Sequence, residues 1–393
     1  MTQATLSPQS PYFTEEHEML RATLRRFIAE RVHPFADAWE EAGFVPREVL
    51  REMGSLGLLG MRYAVRWGGN ELDTLATVVL AEELGRSGCA GFTVTVLVHT
   101  DMASPHLHHA GTPEQLERWM PDIVAGRRIA AVAMTEADAG SDLAGMRCSA
   151  RREGDEWVLN GAKMFITNGV HGDIFFVAAK TGEPGRNREV SMFVVEKGMP
   201  GFGVARALKK TGWLCSDTAE LVFDACRIPA ANLLGKQHKG FYALMKNLQN
   251  ERIVLGAQTM GEAARAIELA LEWTQQRNAF GNTLWSKQTN PGTPHVSRIG
   301  GQPNAAVGHR GEQRRIARHQ AAWAAQIHQH VHGVQRAEHA EDRAAGDVQQ
   351  RTRCDHAAAP APVITPASAA SQCCTGRGSA VCTNSRPSFA YEC

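Results

Sequence analysis

The chain has no apolar run of the roughly 20 residues that a membrane helix needs, and its first residues, Met1 to Pro11, are polar, without the basic-then-apolar order of a secretory signal. A soluble, cytoplasmic protein is the expectation. Charge of one sign is not in excess: 42 Lys and Arg stand against 41 Asp and Glu, a net +1. That balance gives no electrostatic footprint for nucleic acid or for an acidic partner. Cysteine forms no pattern either. Cys89, Cys148, Cys215 and Cys226 are scattered singly, without metal-ligand spacing or a disulfide framework, so no metal site is expected. The remaining five, Cys354 to Cys393, lie in a segment that is itself anomalous. From Asn290 to Cys393 there is no Leu, no Lys and no Met; the last of each are Leu284, Lys287 and Met260. Leu and Lys are among the commonest residues of globular domains. The same stretch holds eight of the sixteen His and is rich in Ala, Arg, Gln and Gly. One reading is a disordered, low-complexity tail. The other, preferred here, is translation out of frame in a GC-rich gene, starting just after Gln288. A tail kept for solubility would use Lys and Glu, and it would not drop Leu in mid-motif. The histidines from His319 to His339 invite a metal-binding reading, which this origin disfavours.

A chain of 393 residues suits two or three domains. Residues 12–128 read as helical. Thr14 is a candidate N-cap with Glu15, Glu16 and Glu18 in the first turn, and Leu20, Leu24, Phe27 and Ile28 repeat at helical spacing up to Pro34. A second helix starts after Pro46, with Val49, Leu50 and Met53 on one face; others cover Leu75–Leu84, Val94–Ala110 and Pro113–Ala125. Near Ile129 the period changes. Short β-branched or aromatic runs (147–150, 157–159, 163–167, 174–179, 190–195, 219–223) alternate with turn pairs such as Gly154-Asp155 and Asn160-Gly161. They predict a compact antiparallel β-barrel over 129–238. Helical spacing returns over 239–289, where Leu244, Leu248, Glu251 and Leu255 fall on one stripe. The fold class is therefore α+β and multidomain: an N-terminal helical domain, a β-barrel, and a C-terminal helical bundle cut short after its first helix, followed by the anomalous 290–393.

Two segments carry chemistry. Ala133-Met-Thr-Glu-Ala-Asp-Ala-Gly-Ser-Asp142 joins helices to barrel, with hydroxyls at Thr135 and Ser141 and a Gly140 that lets backbone N–H groups approach an anion. By itself it reads rather as an ordinary polar connection. Lys163-Met-Phe-Ile-Thr-Asn-Gly169 follows a strand hairpin; Phe165 and Thr167, two apart, share a strand face, so one could cover a planar ring while the other bonds its edge. Phe165 as a barrel-core residue is the alternative. Together with Gly57-Leu-Leu-Gly60, Trp67-Gly-Gly-Asn70, Ala81-Glu-Glu-Leu-Gly-Arg86, Gly111-Thr-Pro-Glu-Gln115, Gly212-Trp-Leu-Cys-Ser-Asp-Thr218 and Arg277-Asn-Ala-Phe-Gly281 with Gln288, these segments resemble the acyl-CoA dehydrogenase family from about Phe13 to Gln288.

The resemblance implies FAD as cofactor, a homotetramer, and removal of hydrogen across Cα–Cβ of an acyl-CoA thioester, with electrons passed to an electron-transfer flavoprotein. It implies that Met134, Thr135, Phe165, Ile166 and Thr167 flank the isoalloxazine. Gly140 and Ser141 would lie by the FAD phosphates, with Ser141 and Arg252 also toward the substrate. Arg277 and Gln288 would reach the FAD of a neighbouring subunit. A carboxylate must take the α-proton, and its pKa must be raised in a dry pocket. Many family members carry that base in a late Glu-Gly-Thr-Ser stretch, which is missing here. The isovaleryl- and long-chain-like branches place it in an earlier Glu-Arg pair, and this chain has Asn250-Glu-Arg-Ile-Val-Leu255 there. Glu251 is thus the candidate base, with a salt bridge as its alternative role. Glu136, the nearest rival, is read as part of a solvated turn with Asp138 and Asp142. The missing last part of the bundle leaves the chain as written impaired. A non-catalytic remnant acting at most as a binding module, or a flavin oxidase on the same scaffold, are the alternatives.

Overall fold

The computed structural model describes residues 12–182 and 189–287. Seven helices come first: α1 (Glu15–Phe27), α2 (Ala36–Ala42), α3 (Arg47–Ser55), α4 (Thr74–Gly85), α5 (Ala90–Leu97), α6 (Ser104–Ala110) and α7 (Pro113–Val124). Their ends follow capping rules. In α1 the Thr14 amide donates to Nδ1 of His17 at 3.0 Å, with Glu15, Glu16 and Glu18 at the positive end and Arg25 and Arg26 at the negative one. Asp73 caps α4 by accepting the Ala76 amide at 3.0 Å, and Thr112 and Gln115 form a reciprocal box at the start of α7. α4 is apolar nearly all round and buried from Ala76 to Ala81, as befits a central helix. Its one buried carboxylate, Glu83, is neutralised by Arg21 at 2.7 Å and Arg25 at 2.9 Å.

Strands β1 (Ala130–Ala133), β2 (Ser149–Glu153), β3 (Glu156–Thr167), β4 (Ile174–Lys180), β5 (Val190–Glu196), β6 (Phe202–Ala207), β7 (Thr218–Pro229) and β8 (Leu233–Leu234) form one sheet in the order β6-β7-β3-β2-β4-β5-β8, with β1 also on β4. The expected closed antiparallel barrel is corrected by this topology. The path of strands is open, and β1 and β2 both pair with β4 in parallel. The turn expected at Asn160-Gly161 does not form, although the hairpin at Gly154-Asp155 before it does. Gly161 takes φ +138° at a register shift, and the chain runs on as a single strand, β3. β4 and β5 are buried on both faces, which is why they read as continuous apolar runs rather than alternating ones. One face, with Phe176 and Met192, packs on Trp119, Ile123 and Leu244; the other, with Phe175 and Phe193, packs on Trp157 and Leu221.

The chain then forms α8 (Gly240–Gln276), 37 residues and about 55 Å long, and a small hairpin of β9 (Asn278–Ala279) and β10 (Asn282–Thr283). The buried stripe of α8 is Leu244, Asn247, Val254, Ala257, Gln258 and Gly261. This is rotated from the expected stripe: Leu255 is 42% exposed, and Glu251 sits between Asn247 and Val254. The rotation is set by contact with α4. A Cβ on Gly85 would stand 2.3 Å from the Gln258 carbonyl oxygen, and one on Gly261 would stand 2.1 Å from that of Glu82. The two backbones touch, and only glycine permits it. Among the described residues no helix is long and apolar enough to cross a membrane. Gln288 and the whole of 290–393 lie outside the described residues.

Gly261→Ala forces α8 off α4 and is expected to cost about 1–3 kcal/mol, as overpacking does. Thr259→Ala, exposed on the same helix, should stay within about 0.5 kcal/mol. Urea midpoints of the two variants against wild type measure the difference.

Candidate active site

The loop after β1 is stitched to a bulge in β3. The Met164 amide donates to the Thr135 carbonyl at 2.9 Å, and the Thr135 hydroxyl donates back to the Met164 carbonyl. Lys163, fully buried, points its ammonium into the loop, at 2.9 Å from the Met134 carbonyl and 2.8 Å from Glu136 Oε1. Glu136 also accepts the amides of Arg147 at 2.6 Å and Cys148 at 3.0 Å. Burial works against its charge, but the Arg147 amide, Lys163 and the Cys148 amide outweigh that and hold the carboxyl below the usual glutamate range. The expected solvated turn is therefore wrong for Glu136, whose side chain is 9% exposed. It is a fixed structural carboxylate, unsuited to act as a base. Lys163 was not foreseen; the only sequence signal is a lysine inside an otherwise strand-like run.

The bulge turns Phe165 outward. It has φ +61° and is 67% exposed, while Ile166 is buried. A left-handed aromatic costs on the order of 1 kcal/mol, and Phe165 gains no core burial in return, so its alternative reading as a core residue is excluded. The register shift between Lys163 and Ile166 also breaks the simple alternation that was to put Phe165 and Thr167 on one face. Beyond it Asn168 donates to the carbonyls of Thr95 at 3.1 Å and Ala130 at 3.2 Å, and Asp217 accepts the Val170 amide at 2.6 Å. Gly140 and Ser141 are exposed, and nothing lies within 4 Å of where a Gly140 Cβ would stand.

Glu251 is half-buried on α8. Asn247, one turn earlier, donates to its Oε1 at 2.8 Å and to the carbonyls of Asp101 at 3.1 Å and Met102 at 3.3 Å. Those carbonyls belong to a π-helical turn, Val98–Ala103, between α5 and α6; such turns leave unusual backbone groups free to bond. Asn250 adds a bond to the Asp101 carbonyl at 3.1 Å and accepts one from Arg62 at 2.9 Å. Burial pushes the Glu251 carboxyl above its usual range, against the Asn247 hydrogen bond and the charge of Arg252. Arg252 itself is exposed. Asn247 was missed from the sequence, although its place four residues before Glu251 on one helix face is a legible signal. Arg277, exposed, lies about 39 Å along the helix axis from Glu251 at 1.5 Å per residue, so the two do not meet within one chain.

The fold and this constellation of bulge, loop and helix define the class of protein. The acyl-CoA dehydrogenase N-terminal domain matches residues 14–127, the middle domain 131–226 and the C-terminal domain 238–290. The chain is 42% identical over 279 residues to the mitochondrial long-chain specific acyl-CoA dehydrogenase of Rattus norvegicus, covering 70% of this chain and 64% of that protein. The crystal structure of acyl-CoA dehydrogenase from Geobacillus kaustophilus matches with a TM-score of 0.74 at 37% identity, covering 83% of this chain and 82% of that one. A Bacillus anthracis acyl-CoA dehydrogenase, solved in complex with FAD, matches with a TM-score of 0.66 at 33% identity, over 72% of this chain and 47% of that one. The chain belongs to the acyl-CoA dehydrogenase family. It spans just under two thirds of the long-chain relative, and the matched C-terminal domain stops at residue 290.

Lys163→Met leaves Glu136 without its buried counter-ion and is expected to destabilise by about 3 kcal/mol at neutral pH. Glu136 titrates below its unfolded value, so its contribution is present above the ordinary glutamate range and is lost as pH falls through the lowered one. The gap between wild type and variant, followed by denaturant melts at several pH values, should therefore narrow on acidification.

Proposed function

We propose that this chain descends from a FAD-dependent dehydrogenase that converts an acyl-CoA thioester to the trans-2-enoyl-CoA, with Glu251 as the base. The observation that carries the reading is a carboxylate on a helix stripe, half-buried, raised in pKa by burial and held by Asn247. A base of that kind suits an α-proton of low acidity. The residues on the sheet side fit FAD in kind: an outward aromatic at the bulge, Phe165, beside Ile166 and Thr167; the Met134-Thr135 edge fixed to it; and the open backbone at Gly140 and Ser141. When bound, FAD supplies the acceptor for the β-hydride. Thr135, Thr167 and backbone N–H groups would bond its edge, Phe165 would cover a ring face, and Arg277 with Gln288 would serve the FAD of a neighbouring subunit in a homotetramer. Ser141 and Arg252 would orient the thioester arm. An electron-transfer flavoprotein as acceptor and the cytoplasm as location complete the proposal, over an N-terminal domain 12–128, a middle domain 129–238 and a C-terminal start at 239–289.

A second reading is favoured by one observation: the family match ends at 290, and beyond that point there is no Leu, Lys or Met. On that reading 290–393 is out of frame and the chain as written is a remnant that keeps the N-terminal and middle domains as a binding module. Flavin separates the two. FAD titration of the full chain, read by flavin fluorescence, is expected to show weak or no binding, and one tightly held flavin per chain would remove the remnant reading.

With the frame restored, Glu251→Gln keeps shape and the Asn247 bond but deletes the base. It should retain flavin, yet anaerobic reduction by acyl-CoA should slow by about 10² to 10⁴. Normal reduction would put the base elsewhere. In the intact enzyme the rate should rise with pH through a value above the ordinary glutamate range, since the working form is the carboxylate and burial raises its pKa. Asn247→Ala removes a bond to that carboxylate and should move the rise to still higher pH.

A further inference from the structure

We propose that Glu40, Cys89 and Cys215 form a binding site for one thiophilic divalent ion of the zinc class. The cysteines, 126 positions apart, bring their sulfurs to 3.6 Å in the folded chain, and both residues are buried. With Glu40 their donor atoms all lie within 4.8 Å of one another. Two thiolates on a tetrahedral zinc, each at about 2.3 Å from the metal, stand roughly 3.8 Å apart, whereas a disulfide needs about 2.05 Å. The observed spacing is too long for a disulfide and suits two ligands on one ion.

The surroundings suit that use. The Glu40 carboxylate is fixed by the Leu214 amide at 2.7 Å and the Cys215 amide at 3.3 Å, the kind of second bond that orients a ligating carboxylate. It keeps lone pairs for an ion. Gly91, in α5, leaves the donors their room: a Cβ there would stand 2.5 Å from Cys215 Sγ and 2.7 Å from Glu40 Oε1. Three anionic ligands on a divalent ion leave one negative charge, and the Lys210 ammonium, which donates to the carbonyl of Ser216 next to Cys215, offsets it. Binding is not a redox step: two thiol protons pass to solvent, one from each cysteine, and two sulfur–metal bonds form. The ion would clamp α2, the start of α5 and the loop between β6 and β7. That loop carries Asp217, which holds the turn after β3 through the Val170 amide.

The test uses the full chain with its five cysteines from Cys354 to Cys393 changed to serine, so that the described cysteines alone report. Cadmium chloride is titrated in, followed by thiolate-to-cadmium charge-transfer absorption. One equivalent per chain is expected, lost in Cys89→Ser and in Cys215→Ser and weakened at least about tenfold in Glu40→Gln. X-ray absorption of the zinc form should show two sulfurs and at least one oxygen. Circular dichroism separates lost binding from lost folding, and Cys226→Ser, elsewhere in the sheet, should bind like the parent. No charge-transfer band, or a band that survives both cysteine substitutions, overturns the site. So does a Cys89–Cys215 disulfide that forms in air while cadmium fails to bind, because the pair would then be a redox device.

Discussion

Two helix backbones in contact set the positions of most other parts. α4 and α8 meet at Gly85 and Gly261, where any side chain would collide with a carbonyl of the opposite helix. That contact fixes the rotation of α8 and decides which residues of a long, only weakly amphipathic helix face inward. It buries Val254, Ala257 and Gln258 against α4 and turns Leu255 out. In the same rotation, Asn247, Asn250 and Glu251 come to the π-helical turn at Val98–Ala103, whose carbonyls accept from both asparagines. A carboxylate at that place is costly unless bonded, and Asn247 bonds it. The placement of Glu251 is a consequence of helix packing.

The sheet is ordered by a different device. β4 and β5 are covered on both faces, so the apolar cost of the middle domain is met in its centre. The irregularity falls on a neighbouring strand, β3, which lies between β7 and β2 and carries two register shifts, one at Gly161 and one beside the solvent-facing Phe165. Holding a bulge open needs compensation. Lys163 and Glu136 provide it, a buried pair whose remaining donors and acceptors are taken by the Met134 carbonyl and the amides of Arg147 and Cys148. A buried pair is a poor source of net stability but a good means of specifying one arrangement over others. Here the arrangement it specifies is the join between the loop 134–142 and the strand bulge.

The family resemblance was legible because its motifs are local. Gly-Ser-Asp, the Glu-Arg pair and the Arg277-to-Gly281 stretch need no tertiary information to be read. Helix positions were equally legible for α3, α4 and α7, where caps, prolines and apolar period agree. α2 and the strands β1, β6 and β8 were not. They are short, and β1 and β8 are held by pairing with distant strands rather than by their own pattern. Glu136 was misread for a related reason: its neighbours Asp138 and Asp142 suggest water, while its partner Lys163 lies 27 residues away.

By itself, then, the sequence determined the order of helical, β and helical segments, the membership of a family, and the residue types available to the candidate site. It also determined that the character of the chain changes after Gln288, since composition is a property of sequence alone. Tertiary structure decided which of those residues are accessible, which are charged, and which meet. Phe165 is outward because a bulge turns it, Leu255 is outward because α4 turns α8, and Cys89 meets Cys215 because a loop of the sheet folds onto the helical layer. Each of these rests on contacts between residues far apart in the chain, and local propensity carries no information about a neighbour that only folding supplies.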